Sequence, residues 1–115
     1  MTNYYSDQME ISRVYGWHVY IISVPGFSKI GSASRVAIRL TQIQSGNPHP
    51  LQLEEVWHFK CRNEARAVEA LALSKILDRL PKRDWCRCLP QIAIAAVLAA
   101  IYERNSAAVR LLEAA

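Results

Sequence analysis

The sequence predicts an α+β fold: a small three-stranded antiparallel sheet flanked by helices, ordered β-β-α-β-α, with extra C-terminal helices. Three patterns carry this. An aromatic and β-branched run over residues 17–24 meets a Pro25-Gly26 turn signal and a short return strand over 27–31, which together read as a hairpin. Val36, Leu40 and Ile43 then recur at helical spacing. Finally, residues 51–61 alternate as a strand does, with Leu51, Leu53, Trp57, Phe59 and Cys61 on one face, Glu55 as the exception, and the other face wet.

Each element has its own local cause. Ser34 is placed to cap a helix over 35–44, its hydroxyl accepting from first-turn amides. Ser45-Gly46-Asn47-Pro48 ends that helix, with Gly46 suited to a left-handed cap and Pro48 unable to continue. Asn63 caps a second helix over 64–80, stopped by Pro81, and Pro90 opens a third over 90–102. Residues 103–115 either extend the third helix or form another. Residues 1–14 are polar and unpatterned and read as a flexible arm.

Bulk properties narrow the class. The 115 residues suit one domain, and 51% hydrophobic with 21% charged residues can build a core, which argues against disorder. A net charge of +4 permits a polyanionic partner. Three cysteines make no disulfide framework, no secretory leader pattern is visible, and the apolar run over 92–102 is about half a membrane span. A cytoplasmic protein with no membrane partner is the expectation. That same run is apolar on all sides, so it is either wrapped by its own domain or shared with a second copy in a homodimer.

Several residues could carry chemistry. At about 100° per residue, Glu69 falls inside the arc formed by Ala65, Val68, Ala72, Leu73, Ile76 and Leu80. A carboxylate there is costly unless paired, protonated or bound to a cation. It is therefore a structural partner of an arginine or a metal ligand lining a cleft, unless the helix is misdrawn. Arg35 and Arg39 stand four apart on the shoulder of their helix, where they form either a solvated basic face or a phosphate clamp. Tyr20 lies mid-strand and Lys29 interrupts a short strand; a half-buried sheet tyrosine and an edge lysine are their plain structural roles. His58, Cys61, Cys86 and Cys88 are zinc-ligand types. Positions 58 and 61 fall on opposite faces of a regular strand, however, so reduced thiols are the expected state.

Taken together, residues 16–86 resemble the GIY-YIG nucleases, in the phage-type branch whose second motif reads KIG. His18-Val19-Tyr20 stands at the first motif and Lys29-Ile30-Gly31 at the second. Ala37-Ile38-Arg39-Leu40 is similar to the family's helix segment, and Gln44-Ser45-Gly46-Asn47-Pro48 followed by Pro50-Leu51 is similar to the branch's loop. Ala67-Val68-Glu69-Ala70-Leu71 looks like the metal-binding glutamate segment, and Arg83-Asp84-Trp85 resembles the Arg-Glu-Trp that follows it. The sequence departs from the family at His18, which replaces a glycine, and at Ile43 and Leu73, where related members carry a histidine.

The resemblance implies a GIY-YIG-like domain over 15–88 and a C-terminal helical extension over 89–115, packed on that domain or on a partner. It further implies an endonuclease acting on nucleic acid, DNA in the leading reading, with Mg2+ or Mn2+ on Glu69. Tyr20 would accept a proton from the attacking water, its phenolate favoured by Lys29, and Arg39 would neutralise charge on the phosphate. Arg35, Gln42, Asn47 and His18 are the candidates for holding substrate. The alternative is a degraded domain of this family that binds nucleic acid or protein as a regulator or anti-defence factor. A third class is an interaction protein built on the apolar C-terminal helix.

Overall fold

A computed structural model describes residues 16–76 and 85–111. The arm over 1–14, the segment over 77–84 and residues 112–115 lie outside the described residues. The fold is α+β, as the sequence predicts, but the sheet has five strands and not three. β1 (Trp17–Val24) and β2 (Phe27–Ala33) form the expected hairpin, with Val24 paired to Phe27. The two-residue turn works because Gly26 sits at φ +82°, a conformation that side chains disfavour. β3 (Gln52–Phe59) pairs with the other edge of β1. β4 (Trp85–Cys86) and β5 (Val109–Arg110) then extend the sheet on its two sides, giving the order β4-β2-β1-β3-β5 with antiparallel pairing throughout. Each added strand has two residues, too few to show an alternating pattern in sequence.

Regular alternation fails in β3. The pairing moves from Ile21↔Glu55 to Ile22↔Leu53, so Glu54 is an extra, bulged residue whose carboxylate accepts from Ser23 Oγ at 2.7 Å. The bulge reverses the facing of everything before it. Leu51 and Leu53 join Tyr20, Ile22, Val36, Leu40 and Val56 on one side of the sheet. Trp57 and Phe59 join Val19, Ile21, Ile30, Val68 and Val97 on the other. Both faces are therefore covered, and the expected wet face does not exist.

α1 (Val36–Ser45) covers the first side, with Val36 and Leu40 buried and Ile43 packed at the margin. Arg35, not Ser34, is its N-cap residue, and no side chain caps it. At the other end Gly46 has φ −100°, so the expected left-handed cap is absent. Gln44 secures the following loop instead, donating to the His49 carbonyl at 2.9 Å and accepting from the Leu51 amide at 2.8 Å.

α2 (Arg62–Ser74) and α3 (Pro90–Glu103) cover the second side. α2 begins from Cys61, not Asn63, and ends six residues earlier than its periodicity suggests. Ala65 and Ala72 of α2 and Ala93, Ala96 and Ala100 of α3 are buried in one cluster, where small side chains let helix and sheet backbones approach closely. After α3, Asn105 at φ +51° turns the chain back, and Glu64 accepts from Arg104 (3.0 and 2.8 Å) and Ser106 (2.8 Å). The chain then enters β5, so the residues after 103 neither prolong the helix nor start another before 111. Among the described residues no helix is long and apolar enough to cross a membrane.

Candidate functional site

The far end of β2 is where the two covered faces meet. β4 pairs only with Ser28 and Lys29, leaving the edge over residues 30–33 without a neighbouring strand among the described residues. α1 starts immediately beyond that edge, while α2 arrives from the opposite face. Between them runs an open groove of about 440 Å3. Ser32 and Ser34 lie along it, α1 contributes Arg35, Ile38, Arg39 and Gln42, and Trp17 and Arg66 close the other bank.

The charge beside the groove follows helix periodicity. Arg35 and Arg39, one turn apart beside α1, and Arg66 of α2 line it, while Arg62, one turn before Arg66, lies next to it against Trp17. Arg39 Nη1 donates to Gln42 Oε1 at 3.3 Å, which holds its guanidinium along the groove. Arg62 lies over the Trp17 ring, 5.2 Å from its centroid, a contact worth about 0.5–1 kcal/mol when exposed. All four arginines are exposed. Exposed guanidiniums on two facing banks can each offer two parallel donors to a phosphate.

Glu69, on α2, reaches this edge through Ser32. Its carboxylate accepts from Ser32 Oγ at 3.1 Å, and Ser32 lines the groove. Glu69 is half-buried, as its place inside the apolar arc requires, while Ala65, Val68, Ala72 and Leu73 around it are buried. The donor set it offers with Ser32 is one carboxylate and one hydroxyl, hard oxygens of the type that could hold Mg2+ or Mn2+.

The other residues singled out from sequence lie deeper. Tyr20 is 1% exposed and Lys29 7%, both on the side of the sheet covered by α1. Ser32, and with it Glu69, belongs to the opposite side by strand alternation. Tyr20 and Lys29 line the groove no more than His18 and Asn47 do. His18 is fully buried, with Nδ1 donating to the Ala33 carbonyl at 3.2 Å and its ring edge-on to His58 at 5.5 Å. Burial, and secondarily His58, holds its pKa below the ordinary histidine value. Asn47 Oδ1 accepts from the His49 amide at 2.9 Å and serves the loop. Among the described residues no three His, Cys, Asp or Glu side chains gather as a metal cluster, and the three cysteines form no disulfide.

Sequence reasoning did not single out Trp17, Ser32, Arg62 and Arg66. The available signal was the i, i+4 spacing of Arg62 and Arg66 on a helix that also carries Glu69.

A family profile described as the T5orf172 domain matches residues 17–103. No curated protein and no solved structure matches the chain.

Proposed function

The chain belongs to the T5orf172 domain family, and from that premise we propose that it is a metal-dependent endonuclease that hydrolyses phosphodiester bonds in DNA by a GIY-YIG-type mechanism. The family is phage-associated and related to nuclease-type folds. The observation that carries the reading is the groove itself: Arg35 and Arg39 from α1 and Arg66 from α2 line it together with Ser32, which donates to the Glu69 carboxylate.

In this reading Arg35, Arg66 and Gln42 hold the backbone phosphates, and Arg39 neutralises charge that builds on the attacked phosphate. Glu69, with Ser32, would hold Mg2+ or Mn2+, which supplies polarisation of a phosphate oxygen and stabilises the leaving group. Tyr20 takes the proton of the attacking water, and Lys29, two residues along the paired strand from its partner Gly31, favours the phenolate.

The burial of Tyr20 and Lys29 favours a second reading, in which the groove binds nucleic acid and does not cut it. That is the degraded domain acting as a regulator or anti-defence factor. One experiment separates the two: cleavage of plasmid and single-stranded DNA with Mg2+ or Mn2+, alongside binding measured by fluorescence anisotropy, for wild type, Glu69→Ala, Tyr20→Phe and Arg39→Ala. Cutting that is lost in all three, with binding reduced only in Arg39→Ala, is the result expected of the nuclease. Binding without cutting by the folded wild type selects the second reading, and absence of both removes the pair.

A further inference from the structure

We infer that α3 is the interface of a homodimer in which two copies of this helix pack antiparallel by their outer sides, about a two-fold axis level with Val97. The inference is independent of any activity in the groove.

Among the described residues, six large apolar side chains are exposed, and four of them belong to α3 and its N-cap: Leu89 (66%), Ile92 (53%), Leu98 (45%) and Tyr102 (87%). The inner side of the helix is accounted for by Ala93, Ala96, Val97 and Ala100, which are buried in the core. The outer side, with Ile92, Ala95, Leu98, Ala99 and Tyr102, bears no charge over three turns. An exposed apolar stripe of that kind marks an association surface.

The order of residues along the stripe identifies a second copy as the occupant. Counted from Val97, Ala95 lies two residues before and Ala99 two after. Ile92 lies five before and Tyr102 five after, and Gln91 and Glu103 lie six on either side. An antiparallel pair therefore sets Ala95 against the partner's Ala99 at the axis, where small side chains permit the short interaxial distances of close helix packing. Ile92 meets the partner's Tyr102 towards each end.

The shape of the surface agrees with that register. A hollow of about 570 Å3 lies at the C-terminal end of α3, lined by Leu98, Ile101, Tyr102, Glu103, Asn105 and Ser106. Ile92 is exposed at the opposite end, while Leu89 lies beside the hairpin turn, so antiparallel pairing carries Ile92 of each copy to the hollow of the other. At the helix ends the carboxylate of Glu103 is held by Lys75 of its own chain at 2.6 Å, so it brings no unpaired charge to the seam, and the neutral Gln91 lies opposite it in the antiparallel register. Antiparallel helix dipoles attract.

A helix of 14 residues is about 21 Å long and offers less than the roughly 800 Å2 per partner of a standard interface. Dissociation on the order of micromolar is therefore expected.

Sedimentation velocity on the full chain tests the inference. The wild type is expected to move from monomer to twice its mass as concentration rises through the micromolar range. Ala95→Glu alone and Ala99→Lys alone are expected to weaken association about tenfold or more, by burying an unpaired charge. An equimolar mixture of those two variants is expected to associate again, because Glu at 95 of one chain then faces Lys at 99 of the other. That rescue also shows both variants to be folded. A wild type that stays monomeric at every concentration overturns the inference, as does a dimer indifferent to Ala95→Glu. Failure of the mixture to associate overturns the antiparallel register.

Discussion

The ring of Tyr20 occupies the space that a side chain on Gly31 would need: the two are paired across β1 and β2, and a Cβ built on Gly31 would collide with the phenol. Gly31 has no positive φ, so its role is room and not backbone conformation. The glycine of the second motif and the tyrosine of the first are thus one packing unit. Gly31→Ala is expected to destabilise the fold by about 1–3 kcal/mol, the usual cost of overpacking. Gly31→Ala combined with Tyr20→Leu should cost less than the sum of the single changes, since the smaller side chain vacates the site. Urea unfolding of the four proteins of the cycle measures the coupling, and strict additivity would contradict the collision.

Glu55 is 2% exposed and is held by Arg110, whose Nε donates to Oε2 at 2.9 Å while Nη2 donates to Oε1. Arg110 is itself paired with Trp57, on the same side of the sheet, so β5 is fastened by both backbone and charge. Arg110→Ala leaves a buried carboxylate without this partner. The expected loss is about 2–3 kcal/mol, below that of a fully buried pair because Arg110 is 43% exposed and water can enter. Glu55→Gln should cost less, since it removes the buried charge itself. The urea midpoints of the two variants rank the effects, and an Arg110→Ala midpoint equal to that of wild type would mean that β5 contributes nothing.

These two relationships differ in how visible they are from sequence. Tyr20 and Gly31 belong to strands joined by a two-residue turn, so hairpin geometry alone pairs them, and the turn is announced by Pro25-Gly26. Glu55 was visible as an oddity on an apolar face, but its partner lies 55 residues away in a two-residue strand with no periodicity to read. The bulge at Glu54 was equally silent, because one added residue leaves composition and local propensity unchanged while reversing the facing of Leu51 and Leu53. At the groove, Glu69, Arg35, Arg39 and Gln42 stood out as single residues on helices of clear period. Arg66 and Ser32 acquire meaning only when α1 and α2 approach the same strand edge from opposite faces.

His18 gives the fold a pH dependence of definite sign. Burial lowers its pKa below the ordinary 6.5, His58 adds to the effect, and the Ala33 carbonyl opposes it. A lowered histidine pKa means that the unfolded chain binds the proton more readily than the folded one. Stability from this site is therefore fully present above the unfolded value and declines as pH falls through 6.5 towards the folded pKa. His18→Phe should remove that part of the decline, measured as urea midpoints between about pH 7.5 and pH 5. An unchanged slope in the variant would assign the dependence to other groups.

The groove makes a prediction about salt that separates its residues from those of the neighbouring loop. Each arginine that contacts a phosphate displaces a condensed counterion, so its removal lowers affinity and flattens the dependence of log Kd on log salt by about one. Arg39 and Arg66 line the groove from α1 and α2, whereas Asn47 accepts a backbone hydrogen bond from His49 and stands outside the lining. Arg39→Ala and Arg66→Ala should therefore each reduce DNA affinity and the salt slope, and the double variant should reduce the slope by about two. Asn47→Ala should alter neither. Anisotropy titrations at several salt concentrations provide the slopes. A slope unchanged by both arginine variants would place the nucleic acid on another face, and a loss confined to Arg39 would place it along α1 without crossing to α2.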